Sequence, residues 1–456
     1  MNRRRHLRHL SGLLISGGTL GCRSSLGARP ARNRGESVII VGAGVSGLGA
    51  AERLRESGFE MITILEGRER LGGRVWTSEV WKDAPMDLGA SWIHGTRRNP
   101  ITRLAREAGV ETKPTDYDDL MIFNQAGKEF SREEMRKFNR LYRELYVALG
   151  SVSARTSGSV RDVVSAKLGS RTPEDQAMID FALDAMIEQD FAEDVENLDA
   201  GAFDYGKAFG GGDVLFPGGY STVFAPRFSP FEIHTGHVVK TVKWSAKEVT
   251  LLTNRGEFSA DRVIITLPLG VLKRATVAFE PALPNGKLAA LESLGMGCLN
   301  KLYLRFSEVF WPNDVQGFSY QSSPTGQWSQ WLNMAYYTKA PILLGFTAGS
   351  FAREIEGWSD AKITNDVMEV LRGIFGKSIP APIDMQRTRW AADPFTYGSY
   401  SALSPGANKA TVEALGEPVG DRLFFAGEAT SVSYPSTVHG AYMSGQREAE
   451  RLISFG

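Results

Sequence analysis

The sequence predicts an α/β fold in which a parallel sheet, buried on both faces, carries a glycine-rich turn. A continuous apolar run over 37–41 has the length of one such buried strand. An Ala- and Leu-rich helix over 48–57 follows, and Gly58 ends it. A second apolar run over 61–66 completes a βαβ unit, and this unit predicts the fold class.

A change in sequence character farther along predicts a second domain of mixed sheet and helices. The segments 132–149 and 177–188 are charged and amphipathic, with apolar residues at helical spacing. Strand-like sequence returns at 232–253 and 261–268. Because the two kinds of sequence alternate, we predict that both domains are discontinuous along the chain.

The composition excludes several classes of protein. Of the 456 residues, only Cys22 and Cys298 are cysteines, which excludes a disulfide framework and a cysteine zinc site. The six histidines lack metal-ligand spacing, so we expect no bound metal. Eight of the 52 basic residues lie within 1–34, which leaves 44 basic against 52 acidic residues in the remainder. An acidic body disfavours nucleic acid as a partner and favours a cationic ligand.

The first 34 residues are interpreted as an export signal rather than as part of the fold. Arginines at 3–5 precede an uncharged run over 10–21, too short for a transmembrane span but suited to a signal peptide. The arginines resemble a twin-arginine signal, and the residues before Cys22 resemble a lipoprotein cleavage box. We therefore expect a bacterial exported, periplasmic protein with Cys22 as a candidate lipid anchor. A disordered basic tail on a cytoplasmic protein is the alternative.

The glycine-rich turn has the spacing of a dinucleotide-binding motif. Gly42, Gly44 and Gly47 fit G-x-G-x-x-G between the first strand and the first helix. Glycines there allow a tight turn, a close approach to pyrophosphate, and tight packing of helix on strand. Glu66 ends the second strand, where a carboxylate would bind ribose hydroxyls. The motif predicts a dinucleotide but does not distinguish NAD from FAD.

The sequence after Glu66 resembles the flavin-containing amine oxidase family, and its pattern is closest to the polyamine oxidases. Arg68 and the stretch Leu71-Gly72-Gly73-Arg74 carry the first resemblance. Further matching blocks lie at 87–95, 260–273, 423–430 and 434–441. The resemblance implies non-covalent FAD in a Rossmann-like domain of the amine oxidase type. That domain would comprise 36–110, 216–290 and 385–456, and the substrate-binding domain 111–215 and 291–384.

Together, the motif and the resemblance imply a set of FAD contacts along the chain. They are Gly42, Gly44, Val45, Ser46, Gly47, Glu66, Arg68, Gly72, Gly73, Arg74, Gly89, Ala90, Ser91, Trp92, Val239, Trp390, Gly427, Glu428, Thr437 and Val438. Ser399 stands where monoamine oxidases carry a cysteine bound to the flavin, hence the expectation of non-covalent FAD.

The resemblance also implies the catalytic residues Lys301, Trp390 and Tyr400. Lys301 matches a family lysine that holds a water against flavin N5. By itself, its alternation with apolar neighbours in 301–306 predicts only a solvated strand face. Tyr400 matches one wall of the family's aromatic cage, and Thr437 stands at the opposing wall.

Substrate contacts are expected from His94, Asp190, Glu193 and Thr437. His94 resembles a substrate-contacting histidine of animal-type polyamine oxidases. Asp190 and Glu193 lie near a family position for an acid that binds the distal amine. Such charge-assisted contacts would fix the position of a polyamine along the site. For His94 the alternative is a structural histidine, and for the acids a solvated helix face.

The expected activity is oxidation of a cationic amine by hydride transfer to the flavin, giving an imine and, with O2, H2O2. The reacting amine must be neutral, and desolvation would favour that form. A monoamine or an L-amino acid is the alternative substrate, and Arg97, Arg98 or Arg353 could then hold a carboxylate. A non-catalytic, protein-binding member is the other alternative. The sequence leaves the oligomeric state and the choice between O2 and another electron acceptor open.

Overall fold

The computed structural model describes residues 35–152, 158–201 and 205–455. The predictions for 1–34, including lipidation at Cys22, lie outside these residues. The strands, in chain order, are β1 Val38–Val41, β2 Ile62–Leu65, β3 Thr77–Ser78, β4 Met86–Asp87, β5 Trp92–Ile93, β6 Lys113–Thr115, β7 Leu120–Phe123, β8 Asp213–Leu215, β9 Glu232–His234, β10 Val239–Trp244, β11 Val249–Thr253, β12 Gly256–Ala260, β13 Arg262–Ile265, β14 Ala278–Glu280, β15 Leu294–Met296, β16 Leu299–Arg305, β17 Gly317–Tyr320, β18 Gln330–Asn333, β19 Ile342–Ala348, β20 Asp384–Arg387, β21 Ser401–Leu403 and β22 Leu423–Phe425.

The helices are α1 Val45–Glu56, α2 Pro100–Glu107, α3 Arg132–Gly150, α4 Val160–Leu168, α5 Pro173–Leu183, α6 Gln189–Phe191, α7 Ser221–Phe224, α8 Leu269–Lys273, α9 Asn285–Ser293, α10 Met334–Thr338, α11 Gly349–Ile355, α12 Asp360–Phe375, α13 Lys409–Gly416 and α14 Val438–Ser454. A π-helical turn, Asp184–Glu188, joins α5 to α6, and 3-10 turns cover Ala225–Phe228 and Glu428–Thr430. Within the described ranges, none of the helices is long and apolar enough to cross a membrane.

A parallel five-stranded sheet in the order β22-β13-β1-β2-β9 forms the first layer. All four residues of β1 are buried, as expected for a strand covered on both faces. The chain runs from β1 to β2 on one side, and β13 pairs with β1 on the other side. The carboxyl end of β1, where the glycine turn begins, is therefore a point at which ligands bind in sheets of this kind.

Helix α14 brings the end of the chain onto the first helix, α1. A Cβ at Gly445 would lie 1.9 Å from the carbonyl oxygen of Ser46, and one at Gly49 would lie 2.4 Å from that of Tyr442. Glycine is thus required at this contact, because any side chain would force the helices apart. The sequence predicts that the last helix begins after His439, but it begins at Val438, with Thr437 as its N-cap.

A six-stranded sheet in the order β20-β16-β19-β18-β17-β7 forms the second layer. Lys301 on β16 pairs with Phe346 on β19, and Phe346 pairs with Gln330 on β18. Directly paired residues share one face of a sheet, so these three side chains form a row across it. Helices α3, α4 and α5 pack against one another, and their buried apolar side chains form one cluster.

The strand pairing crosses the predicted segment boundaries at several positions: β5 pairs with β8, β15 with β21, and β20 with β16. Residues Asp384–Arg387 pair with β16 in the six-stranded sheet. The predicted start of the FAD-binding segment, 385, therefore falls inside a strand of the six-stranded sheet, because a polar edge strand carries no composition change that would mark it. A small three-stranded sheet has the order β5-β8-β6, and its strand β5 belongs to the segment 87–95.

Candidate active site

A cavity of about 690 Å³ is lined by residues from the carboxyl end of the parallel sheet and from the six-stranded sheet. Its volume lies in the range of ligand pockets. Every residue predicted to contact FAD lines it except Gly47. A Cβ at Gly47 would lie 2.1 Å from the carbonyl oxygen of Gly42, so this glycine serves helix-on-strand packing instead. The remaining predicted glycines, acids, arginines and aromatic residues share one cavity.

The glycine turn and Glu66 form one end of this cavity. The Glu66 carboxylate accepts hydrogen bonds from the backbone N–H groups of Ala43 and Arg68, each 2.8 Å long. Burial raises the pKa of Glu66, and these two hydrogen bonds oppose that rise. No side chain caps α1 at Gly44, and a Cβ at Gly73 would come within 3.3 Å of the Gly44 Cα. The bare turn and the carboxylate fit a pyrophosphate and a ribose.

Glu428 connects the distant segments that line the middle of the cavity. Its carboxylate forms a 2.8 Å ion pair with Arg74 and accepts a 2.6 Å hydrogen bond from the Ser401 hydroxyl. It also accepts the backbone N–H of Ser436 at 3.0 Å. The Arg74 guanidinium in turn donates to the carbonyl of Ser399 at 2.9 Å. A single buried acid thus holds four chain segments around the predicted cofactor.

Lys301 also lines the cavity, at the point where strand β16 of the six-stranded sheet contacts the segment 87–95. Its Nζ donates to the carbonyls of Asp87 and Gly89, at 2.7 and 2.6 Å, and to the Ser91 hydroxyl. The side chain is 5% exposed, so the solvated strand face that alternation alone predicts is wrong. Burial lowers the pKa of Lys301 to about 8, and the nearby Asp87 carboxylate opposes that fall. Burial also raises the pKa of Asp87 to about 6.

The predicted aromatic residues form a wall beside Lys301. Trp390 is buried and meets Trp76 edge-to-face, with ring centroids 6.2 Å apart. The Tyr400 hydroxyl donates to the carbonyls of Gln189 and Asp190, each at 3.3 Å. Thr437 lines the cavity, and its hydroxyl accepts the Gly440 N–H at 2.9 Å as the N-cap of α14. Tyr400, at one wall of the predicted cage, therefore comes from the loop before β21, and Thr437, at the opposing wall, comes from the N-terminus of α14.

His94 and Asp190 line the cavity, but Glu193 does not. The Glu193 carboxylate instead forms a bidentate ion pair with Arg353. The prediction that Glu193 binds substrate is wrong for this geometry, because its charge is already neutralised by an arginine. Arg353 is occupied for the same reason, and Arg97 and Arg98 are exposed and off the cavity. None of the three arginines considered for a substrate carboxylate reaches the site.

Sequence reasoning missed several residues of the site. Asp213 bonds His94, while Tyr117, Phe346 and Gln330 line the cavity. Only the strand pairing and the three-stranded sheet bring them there, and no local motif marks them. In the described part of the chain, no three His, Cys, Asp or Glu side chains group as a metal site.

Comparisons with known proteins agree with this geometry. A family model described as flavin containing amine oxidoreductase matches residues 45–453. Lysine-specific histone demethylase 1 homolog 2 of Arabidopsis thaliana is 35% identical over 91% of this chain and 58% of its own length. Polyamine oxidase 2 of the same plant is 34% identical over 92% of this chain and 88% of its own length. The chain spans a little over half the length of the histone demethylase relatives.

A solved structure of a putrescine oxidase double mutant, redesigned in cofactor binding, has a similar fold. Its TM-score is 0.76 over 92% of this chain and 99% of that one, at 20% sequence identity. The comparisons confirm the family resemblance and the fold class predicted from the sequence.

The lowered pKa of Lys301 predicts a pH-dependent stability. The unfolded chain keeps the ordinary lysine pKa of 10.5, so between about pH 8 and 10.5 it binds more protons than the folded chain. Stability therefore rises with pH in that window, by about 1–3 kcal/mol from this residue. Compared with Lys301→Met, wild-type protein should gain melting temperature on going from pH 7.5 to pH 10.

The matched control is Lys82→Met, because the Lys82 side chain is 82% exposed and pairs with Glu79 at 3.3 Å. This variant should follow wild type at both pH values. If the difference between wild type and Lys301→Met stayed constant with pH, Lys301 would not carry the lowered pKa.

Proposed function

We propose, from the premise that the chain belongs to the family of flavin-containing amine oxidoreductases, that it oxidises a polyamine with non-covalently bound FAD. The observation that carries the proposal is the shared cavity. The glycine turn and Glu66 line one part of it, and Lys301, Trp390 and Tyr400 line another. A dinucleotide held at the first part would present its ring system to the second.

The bound flavin would supply the hydride acceptor, and the chain's own residues would prepare the amine. A carbon–hydrogen bond beside nitrogen must be held at near-attack distance, and Trp390 and Tyr400, which both line the cavity, are the aromatic side chains that would position it. The buried walls exclude water, and desolvation favours the neutral form of an amine. The Lys301 ammonium, fixed by three acceptors, would supply positive charge at the wall of the cavity that receives the flavin.

A polyamine is favoured over an amino acid by the charges at the cavity. Arg68 and Arg74 line the cavity, but each is paired, with Asp393 and Glu428 respectively. They are thus poor ligands for a substrate carboxylate. The Asp190 side chain offers negative charge to a distal ammonium. The combination supports a substrate with more than one positive charge and no carboxylate.

Non-covalent attachment is supported by the chemistry of Ser399. Its hydroxyl accepts the Leu299 N–H at 2.9 Å and donates to the Gly297 carbonyl at 3.1 Å. An alcohol in two hydrogen bonds lacks the nucleophilicity of a thiolate. We further propose an exported, periplasmic protein, which the residues of 1–34 alone support.

The histone demethylase relatives supply the second candidate, oxidation of a methylated lysine side chain in a peptide. Such a substrate presents a secondary or tertiary amine, where a polyamine presents a secondary one, and it brings a long peptide chain with it. The measured identities to demethylase and polyamine oxidase relatives are nearly equal, so the choice falls to substrate tests.

Release of H2O2 should identify the substrate class. With spermine, N-acetylspermine, benzylamine, L-amino acids and a dimethyl-lysine peptide, we expect the highest kcat/KM for a polyamine. Asp190→Asn should raise KM about 10-fold or more for spermine and little for benzylamine, since a charged hydrogen bond is lost. Asp175→Asn, whose carboxylate pairs with Lys137 on the helical surface, is the matched control. Preference for an L-amino acid or for the peptide would contradict the proposal.

Acid denaturation should separate the flavin from the protein. After precipitation with trichloroacetic acid, the yellow chromophore is expected in the supernatant, because Ser399 offers no covalent link. A pellet that stays yellow after washing would contradict non-covalent binding.

A further inference from the structure

The three-stranded sheet β5-β8-β6 brings a buried aspartate against His94. Asp213 Oδ2 lies 2.9 Å from His94 Nδ1, and Asp213 Oδ1 accepts the Gly95 N–H at 2.8 Å. The Tyr117 hydroxyl also donates to Oδ2, at 3.3 Å. The Asp213 side chain is 7% exposed and that of His94 is 26% exposed. The carboxylate is therefore held rigidly behind an imidazole that faces the cavity.

This arrangement fixes the tautomer of His94. An ionised carboxylate only accepts hydrogen bonds, so Nδ1 of a neutral His94 must carry the hydrogen. Nε2, on the other side of the ring, then has a bare lone pair. The ring stacks on Trp92 with an interplanar angle of 23°, and Lys301 Nζ lies 5.6 Å from the centroid of that same indole. His94 is thus an acceptor in the part of the cavity that contains Lys301.

We infer that Asp213 is a positioning residue that makes His94 Nε2 the acceptor for the proton of the reacting ammonium. The inference rests on the proposed function, because it concerns the amine that the flavin oxidises. A polyamine arrives protonated, whereas hydride can leave only from carbon beside a neutral nitrogen. One proton must therefore leave the reacting nitrogen before oxidation, and His94 Nε2 is the acceptor that we assign to it.

The balance of this step is simple. The nitrogen–hydrogen bond of the substrate breaks and its electron pair stays on nitrogen as the lone pair. The proton forms a bond to Nε2, and the imidazolium that results is stabilised by the Asp213 carboxylate. In water an ammonium and an imidazole differ by about four pKa units. Desolvation of the ammonium in the cavity narrows that gap.

The other titratable groups near His94 are less suited to the task. Lys301 already donates to three protein acceptors. Tyr117 donates to Asp213, and His439 lies behind Asn99, which donates to the His94 carbonyl at 3.2 Å. Asp190 lines the cavity and is the residue that the proposed function assigns to the distal ammonium.

Asp213→Asn tests the inference. The amide oxygen of the variant side chain would still accept the Gly95 N–H, so its amide NH2 group would point toward His94. His94 must then accept at Nδ1 and carry its hydrogen on Nε2, the wrong tautomer for an acceptor. We expect kcat/KM for the best amine to fall about 100-fold at pH 7.5. The loss should shrink several-fold by pH 9.5, where more of the amine is neutral in solution. A loss that is the same at all pH values would mean a purely structural role and would overturn the inference.

A second variant and a spectroscopic measurement keep the inference testable if Asp213→Asn does not fold. His94→Gln removes the imidazole and should show the same pH-dependent loss, and the double variant should be no worse than the poorer single variant. In 15N-histidine NMR of the holoenzyme, the signal lost in His94→Gln should report hydrogen on Nδ1 in wild type and on Nε2 in Asp213→Asn. An unchanged tautomer would also overturn the inference.

Glu232→Gln is the matched control, because Glu232 pairs with His234 at 2.9 Å on β9, and neither residue lines the cavity. This variant should leave kcat/KM unchanged at every pH. Failure of the proposed function is distinguishable: wild type would then oxidise no amine, whereas the NMR signal would still report the His94 tautomer.

Discussion

The carboxylate of Glu428 is the interaction on which the arrangement of the site depends. Arg74, Ser401 and Ser436 all donate to it, although they lie far apart in the chain. A buried carboxylate is stable only when its oxygens are satisfied, so the segments that bring these donors must meet at this point. That meeting places the glycine turn, the aromatic wall and the N-terminus of α14 around one cavity.

The sequence predicted the parts of the molecule in which a local pattern has a single structural solution. The apolar run of β1, the glycine turn and Glu66 belong to that group, since a βαβ unit of this spacing folds in one way. The family resemblance extended the prediction to Glu428 and to the residues of 87–95. Most of the fold and nearly all of the predicted cofactor contacts could be reached in this way.

Residues whose surroundings come from distant pairings could not be predicted. Alternation predicted a solvated face at Lys301, yet helices and loops cover that face and leave the ammonium to three backbone and hydroxyl acceptors. Glu193 carried the right charge for a substrate contact, but Arg353, 160 residues away, neutralises it. Asp213 lay in no motif, and its role becomes visible only when β8 pairs between β5 and β6. Charge pairing across sequence distance was the missing information in each case.

The affinity of the apoprotein for FAD, titrated in wild type and Glu428→Gln, tests the central claim most directly. The variant leaves Arg74 without its anionic partner, and we expect a Kd at least about 10-fold higher, or about 1.4 kcal/mol of lost binding. Glu52→Gln is the matched control, because Glu52 pairs with Arg227 at 2.7 Å away from the cavity. The account predicts weak FAD binding in Glu428→Gln alone. Equal Kd values in all three proteins would contradict it.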